Sequence, residues 1–213
     1  IWLGYRNTLF YVIVGTLLSV ILTTSAAFCL SRSRMKGRNA IMMMITFSMY
    51  FGGGMIPTYL TIRSLGMLNT PLAMIIPNVV SAYNLIITLS YFKSIPISLD
   101  EAARIDGAGS FTIFWKVMLP LATPIVAVIS LYYAVSIWND YMSGLLYIIS
   151  PKLKPLQMVL RDILLQEGGG VNQSGSVSSG DEVAYAANIR YATIVVSTVP
   201  ILCVYPFIQR YFI

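Results

Sequence analysis

Long apolar stretches alternate with short polar segments along this chain. A helix that crosses a membrane needs about 20 consecutive, mostly apolar residues. Five stretches reach that length, and they cover residues 9–30, 40–62, 71–92, 121–149 and 191–211. Glycines at 52–54 and Pro57 interrupt the second of them. The pattern predicts an all-α fold, a polytopic transmembrane helical bundle that forms one domain over residues 1–213.

Composition agrees with a membrane protein and excludes several chemistries. Of the 213 residues, 57% are hydrophobic and 10% are charged, whereas soluble domains have roughly 45–50% and 25%. These values exclude a water-soluble globule and a disordered chain. There is no histidine, so the commonest general base and metal ligand is missing. Cys29 and Cys203 lie far apart in apolar stretches, which predicts two buried thiols and neither a disulfide nor a metal site.

The distribution of basic residues predicts the orientation. Segment 31–38 reads SRSRMKGR, with four basic residues and no acid. Excess Lys and Arg marks cytoplasmic loops, so this segment is expected inside, and alternation then places residues 93–120 inside and 150–190 outside. The net charge of +6 is attributed to such loops and not to a nucleic-acid partner. The first stretch runs from outside to inside, so we expect a further N-terminal span before it and a natural protein that extends beyond both ends of this sequence.

The inner loop, residues 93–120, carries the most informative local pattern. Ser98 and Glu101 have the spacing of a capping box, which predicts a helix that begins one residue after Ser98. Gly107 is expected to end that helix in a left-handed conformation. Ser110 is expected to cap a second, amphipathic helix that ends before Pro120. From physical chemistry alone, a solvated helix that lies at the lipid headgroups is an equal alternative for the first helix.

The spacing within the inner loop resembles the EAA loop of bacterial ABC importer permeases. The residues are Glu101-Ala102-Ala103, three residues, Gly107, nine residues, and then Val117-Met118-Leu119-Pro120. The family pattern is E-A-A-x3-G-x9-I-x-L-P, so Val117 is a mild departure from Ile. The segments SRSRMKGR, GGGMIPTYL, PNVVSAYNLIITLSYFKSIP and SIWNDYMSGLLY are similar to the carbohydrate-uptake, maltose-permease-like branch, and nearest to permeases for complex oligosaccharides.

The resemblance implies a fold of the type I ABC importer kind, in a multi-pass protein of the bacterial plasma membrane. It implies that the inner loop forms coupling helices seated on a cytoplasmic ATPase subunit. The residues expected at that joint are Glu101, Ala102, Ala103, Arg104, Asp106, Gly107, Leu119 and Pro120. The expected partners are a second, related permease, two ATP-binding subunits, an extracytoplasmic solute-binding protein and membrane lipid.

Nucleotide chemistry is expected to belong to those partners. No G-x-x-x-x-G-K-[ST] phosphate-binding loop occurs in the sequence. We therefore expect no enzyme activity and no cofactor in this chain, with ATP and Mg²⁺ bound by the ATPase subunits.

Polar residues inside apolar spans indicate a candidate substrate path, because such residues are costly in lipid. The candidates are Asn78, Tyr83, Asn84, Trp138, Asn139 and Asp140. The alternative roles are interhelical hydrogen bonds for the asparagines and an interfacial anchor for Trp138. In the resembling permeases the sugar lies mainly against the partner permease. The Gly52–Pro57 break is interpreted as a kink for close packing, with a discontinuity that lines the path as the alternative.

The outer segment, residues 150–190, contains the low-complexity sequence GGGVNQSGSVSSGDE from Gly168 to Glu182. In the resembling family the corresponding loop reaches into the binding protein. The candidate contacts are Gly168, Gly169, Gly170, Asn172 and Gln173. An amphipathic outer helix is expected over 156–165, and a flexible connector is the alternative for the rest.

The leading hypothesis is therefore a permease subunit of an ATP-driven ABC importer that takes up a carbohydrate. An oligosaccharide is the favoured substrate class. The alternatives are an ABC permease for a non-sugar solute and an ion-coupled secondary transporter. A membrane enzyme is disfavoured, because no catalytic constellation appears.

Overall fold

The computed structural model describes residues 2–32, 35, 37–169, 191, 195 and 198–200. Most of the predicted fifth span and most of the low-complexity segment lie outside the described residues. Within the described ranges the chain is helical, without a strand. This confirms the all-α prediction for the part of the molecule that follows.

Helix α1, Trp2–Ser31, is the central element of the bundle. It begins seven residues before the predicted 9–30 stretch. Its buried face consists largely of small and hydroxyl-bearing residues, as is common where membrane helices pack closely. These are Gly4, Thr8, Gly15, Ser19, Thr23, Thr24 and Ala27. Larger apolar side chains on the opposite face, such as Ile13 and Leu17, are exposed.

The second apolar stretch forms two helices, α2 at Arg38–Tyr50 and α3 at Met55–Ser64, which meet at an angle of 116°. Gly54 has a φ of 85°, a left-handed conformation that favours glycine. No residue of α2 is buried against the described part of the chain. No described atom lies within 4 Å of a Cβ placed at Gly52 or Gly54. The described chain thus gives Gly52 and Gly54 no close packing partner, and Gly54 turns the backbone at the break.

The third stretch is also broken. It comprises α4 at Pro71–Ile75, a 3-10 turn at Ile76–Asn78 and α5 at Ala82–Ser94, with a bend of 50°. Ser81 caps α5, because its side chain accepts a hydrogen bond from the backbone N–H of Asn84 at 3.5 Å.

The fourth stretch is preceded by the inner loop and is shorter than predicted. The loop contains α6 at Ile97–Ile105, α7 at Ser110–Ile113, a π-type turn at Phe114–Met118 and α8 at Leu119–Leu121. The spanning helix α9, Thr123–Trp138, follows an 83° bend. The predicted 121–149 span is wrong beyond Trp138, because the chain breaks there and continues as the separate helix α10, Met142–Tyr147.

One described helix, α1, is by itself long and apolar enough to cross a membrane. Up to four spans result if each of the three bent pairs counts as one. The first predicted stretch thus corresponds to α1, and the second and third correspond to bent pairs. The third bent pair joins Ser110–Leu121 of the inner loop to α9.

The main hydrophobic core lies where α1, α5 and α9 meet the inner loop. It contains Phe28 from α1, Leu89 from α5, Ile129 from α9 and Met118 from the π-type turn. The rings of Phe28 and Phe114 lie 5.3 Å apart between centroids. Because the loop contributes side chains to the same core as the spanning helices, the loop and the bundle form one packed unit.

At the opposite end, the start of α1 is joined to the segment that follows α10. The Asn7 amide donates to the carbonyl of Lys152 at 2.7 Å, and the Tyr11 hydroxyl donates to the carbonyl of Leu153 at 2.8 Å. The hydroxyl of Thr8 accepts from the backbone N–H of Leu156 at 2.8 Å. We call this set of hydrogen bonds the outer clamp. It fixes the first residues of the outer segment, so the flexible-connector alternative does not apply to them.

Helix α11, Leu156–Gly169, begins at the outer clamp. The helix predicted over 156–165 is present, and it extends four residues further. Gly168 and Gly169, the first two residues of the low-complexity segment, therefore lie in a helix.

The prediction of two buried thiols is wrong for Cys29, which is exposed on the surface of the described chain. Position 29 points away from the α1 face that packs on α5 and α9, because its neighbours Phe28 and Leu30 take up that face. Cys203 lies outside the described residues.

Candidate coupling surface and translocation groove

Helix α6 begins at Ile97, after Pro96, whose φ of −55° already suits the first turn of a helix. No side-chain capping hydrogen bond forms, so the predicted Ser98–Glu101 capping box is wrong. Ser98 lies inside the first turn and not at the cap. Pro96 itself occupies the cap position, where its ring fixes φ.

Gly107 ends α6 as predicted. Its φ is 83°. Its N–H donates to the carbonyl of Arg104 at 3.0 Å, and the N–H of Ala108 donates to the carbonyl of Ala103 at 2.9 Å. These bonds close the end of the helix and turn the chain towards α7.

The second loop helix differs from its prediction at both ends. Ser110 begins α7 but makes no capping hydrogen bond, because Gly109 occupies the cap position in an extended conformation. The helical path also does not stop before Pro120, which lies inside α8. The π-type turn at Phe114–Met118 has wider hydrogen-bond rings, and such turns absorb irregularities in a helix.

The two faces of α6 have different environments. Glu101 and Ala102 are exposed, and Ile105 is 86% exposed. On the opposite face, Ala103 packs against the main core and Asp100 is buried. The two alanines of the EAA pattern therefore have different roles in this chain, one outward and one inward.

Two exposed apolar side chains of the inner loop were missed by sequence reasoning. Ile105 is at the last turn of α6, and Phe111, 77% exposed, is at the start of α7. Together with Glu101, Ala102 and Asp106 they define what we call the coupling surface. Ile105 is an isoleucine among charged residues, a pattern that could have indicated an outward apolar contact.

Of the other residues predicted for the joint, Gly107 is exposed at the end of α6 and Pro120 is exposed in α8. Leu119 is half-buried and packs against the main core. Arg104 is half-buried and turned towards Asp100. The eight predicted residues thus lie at the two ends of the inner loop, on α6 and its end and on α8, and only part of them is exposed.

A groove of about 770 Å³ lies between the break in the third stretch and α9. It brings together three of the predicted path residues, Asn78, Tyr83 and Asn84. Four polar side chains that were not predicted also line it. These are Ser81, Tyr132, Tyr133 and Ser136.

Tyr133 connects the walls of this groove. Its hydroxyl accepts a hydrogen bond from the backbone N–H of Ser81 at 3.0 Å and shares another with the Thr23 hydroxyl at 2.7 Å. The side chain is 3% exposed. A backbone N–H set free by a helix break must be satisfied inside a membrane, and Tyr133 satisfies the one at Ser81.

The other three path candidates lie outside the groove. Trp138 is buried beside Leu156 and Leu160, with its ring 6.3 Å from that of Tyr5. The Asn139 amide donates to the carbonyl of Val135 at 2.9 Å, which closes the end of α9. The structure gives these two residues contacts within the bundle.

Asp140 has a local role at the same break. Its carboxylate accepts from the backbone N–H of Ser143 at 3.0 Å, at the start of α10. Burial raises the pKa of the nearby Tyr147 phenol, and the Asp140 charge adds to that effect.

The candidate contacts with a binding protein are only partly described. Gly168 and Gly169 end α11. Gly170, Asn172 and Gln173 lie outside the described residues.

The bent spanning helices, the core-anchored inner loop and the polar groove define a membrane-embedded transport subunit. The chain belongs to the family of binding-protein-dependent transport system inner membrane components, whose family model matches residues 1–213. The resemblance drawn from the EAA loop is thereby confirmed, together with the multi-pass inner-membrane location.

Two Bacillus subtilis (strain 168) proteins are among the similar sequences. The polygalacturonan/rhamnogalacturonan transport system permease protein YtcP is 42% identical over 96% of this chain and 71% of that protein. Protein LplC is 41% identical over 96% of this chain and 69% of that protein. The arabinooligosaccharides transport system permease protein AraQ of Halalkalibacterium halodurans is 28% identical, over 100% of this chain and 71% of that protein.

A solved structure has the same fold. It is the crystal structure of a bacterial ABC transporter involved in the import of the acidic polysaccharide alginate. The similar chain is 35% identical, and the superposition has a TM-score of 0.89 over 100% of this chain and 75% of that one. The prediction of an ABC importer permease fold is confirmed, and the chain is a transport permease subunit.

Proposed function

We propose that this chain is the permease subunit of an ATP-driven importer that takes up an oligosaccharide delivered by an external binding protein. The observation that carries the proposal is the coupling surface, an outward-facing, partly apolar face on a loop that packs into the bundle core. The relatives named for polygalacturonan, arabinooligosaccharide and alginate transport support a carbohydrate as the substrate.

The coupling surface fits a docking site for a cytoplasmic ATPase subunit. Ile105 and Phe111 supply apolar area, and Glu101 and Asp106 supply charge that fixes the register of a partner. Partly apolar surfaces with flanking charges are typical of protein interfaces. On this proposal, residues 93–120 are the cytoplasmic coupling loop, and the ATP and Mg²⁺ are bound by two ATPase subunits.

The groove supplies chemistry that suits a sugar. Tyr83 and Tyr132 are about half exposed, and aromatic rings stack on the apolar faces of sugar rings. The Asn78 amide is exposed in the groove, and amides both donate to and accept from hydroxyl groups. Because the groove is open on one side, we propose that a second, related permease completes the path.

Residues 150–190 are proposed as the outer side of the permease, where the binding protein docks. The outer clamp fixes the start of this segment. The candidate contact residues Gly168 and Gly169 end α11, so a partner that docks there lies close to a fixed element.

The substrate assignment is tested by purifying the binding protein that accompanies the permease and titrating it with pectin-, arabinan- and alginate-derived oligosaccharides. We expect saturable binding of one such oligosaccharide. We also expect its uptake into vesicles that contain the whole complex to require ATP. Uptake that continues without ATPase subunits and follows an ion gradient would favour the secondary-transporter alternative.

The groove is tested by Tyr83→Ala. Loss of one stacking ring is expected to lower uptake at saturating binding protein by about three- to tenfold, since an aromatic contact contributes about 0.5–1.5 kcal/mol. Affinity of the binding protein itself stays the same. Tyr141→Ala is the matched control, because Tyr141 is similarly exposed but does not line the groove. Equal losses in both variants would remove Tyr83 from the path.

A further inference from the structure

Asp100 is a buried carboxylate on the inward face of α6. It is 7% exposed. Its Oδ2 atom lies 3.3 Å from Nη1 of Arg32 and 3.3 Å from Nε of Arg104. The contact with Arg104 stays within one helix, at i and i+4, where such pairs contribute little. The contact with Arg32 joins two distant parts of the chain.

Arg32 is the residue directly after α1. Its guanidinium carbon lies 4.9 Å from the centre of the Phe28 ring, a cation–π contact. Phe28 in turn packs against Phe114 of the π-type turn. Arg32 is therefore fixed on the inner end of α1 before it meets Asp100, and the ion pair connects α6 to that end.

The pair is incompletely satisfied. Oδ1 of Asp100 and both Nε and Nη2 of Arg32 are buried and have no hydrogen-bond partner among the described residues. Arg32 and Asp100 also line a cavity of about 520 Å³ between α1 and α6. Burying charge at such cost is a poor route to stability, and buried ion pairs often serve to fix one arrangement of elements. The arrangement fixed here is that of α6 relative to α1.

We propose that Asp100 is a positioning residue that fastens the coupling helix to the inner end of α1. A displacement of α6 then moves α1 directly. Through the Thr23–Tyr133 hydrogen bond, α1 passes the displacement to α9 and to the groove. The inference rests on the proposed function, because it takes α6 as the helix on which the ATPase acts.

Asp100→Asn and Arg32→Gln test the proposal in the complete transporter in vesicles. We expect the sugar transported per ATP hydrolysed to fall about fivefold or more in each single variant, a typical size for coupling between sites. ATP hydrolysis and the amount of assembled complex change much less. The double variant is expected to be no worse than the poorer single one, because both changes remove the same contact.

Two further variants provide the controls. Asp100→Glu keeps the charge and is expected to restore most of the coupling. Arg63→Gln makes the same change as Arg32→Gln at an exposed arginine in the last turn of α3, and it is expected to leave the ratio unchanged. An unchanged ratio in Asp100→Asn overturns the proposal, and so does additivity in the double variant.

A covalent bridge between the end of α1 and α6 provides an independent test of the proposal. Arg32→Cys and Asp100→Cys are combined in a background that lacks Cys29 and Cys203. The two thiols are then joined by a short bifunctional reagent that attaches through disulfide bonds. Transport is expected to survive the bridge, since α1 and α6 move together. Loss of transport that a reductant reverses means that the two helices must separate, and the proposal fails.

A failure of the proposed function can be distinguished from a failure of the role given to Asp100. If Gly107→Val also transports normally, α6 is not the coupling helix and the proposed function is wrong. If Gly107→Val blocks transport while Asp100→Asn keeps its coupling ratio, only the role of Asp100 is wrong.

Discussion

Gly107→Val is expected to abolish ATP-driven uptake while the permease still inserts into the membrane and assembles. The φ of 83° at Gly107 is strained for any side chain and most strained for a β-branched one, at about 1–3 kcal/mol. No described atom lies within 4 Å of an added Cβ. The cost is therefore conformational and not steric. It falls on the turn that sets α6 against α7, and with it on the coupling surface. Uptake into vesicles and ATP hydrolysis by the whole complex measure the effect.

Gly109→Val is the matched control for Gly107→Val. Gly109 has a φ of −71°, which any residue adopts, and it also has open space around an added Cβ. We expect this variant to transport substantially better than Gly107→Val. Gly107→Asn should lie between the two, since asparagine tolerates the left-handed conformation. Equal loss in both valine variants would assign the effect to added bulk at the joint, and normal uptake by Gly107→Val would falsify the coupling assignment.

Tyr133→Phe is expected to lower uptake by about an order of magnitude. The change leaves the half-buried N–H of Ser81 and the buried hydroxyl of Thr23 without their partner, and a buried group without a partner costs about 1–3 kcal/mol. The break before α5 is then no longer held, and the groove residues on both sides lose their relative position. Initial uptake rates at saturating binding protein measure the loss.

Thr23→Val separates the two hydrogen bonds of Tyr133. It removes the bond to α1 and leaves the Tyr133 hydroxyl available to the N–H of Ser81. We expect a smaller loss than in Tyr133→Phe, because the helix break stays satisfied. If the two variants lose equal activity, the contact with α1 is the one that matters, and the role given to the break is incorrect.

Much of this fold follows from the pattern of apolar residues. The positions of the first four stretches could be predicted because a span length of apolar residues has few alternatives in lipid. The breaks at 79–81 and 139–141 could not, since apolar residues continue on both sides and the tertiary partner Tyr133 stabilises the first of them. Tyr132 and Tyr133 lie in an apolar run whose pattern does not mark a groove.

The inner loop shows the same division between local and distant causes. The left-handed end of α6 at Gly107 could be predicted, because it depends on one residue type. The start of α6 could not, because Pro96 competes with the Ser98–Glu101 capping box and sets the first turn earlier. The ion pair of Asp100 with Arg32 could not be predicted either, because only the packing of α1 brings the two residues close.

Helix α1 is held at both ends, by the outer clamp at Asn7, Thr8 and Tyr11 and by Arg32 at its inner end. Thirty residues of α-helix measure about 45 Å. A rigid helix of that length, held at both ends, cannot tilt at one end without shifting the other. On the proposed function, docking of the binding protein beside one end of α1 and ATP hydrolysis beside the other act on the same rigid element, so each event is mechanically felt at the opposite end.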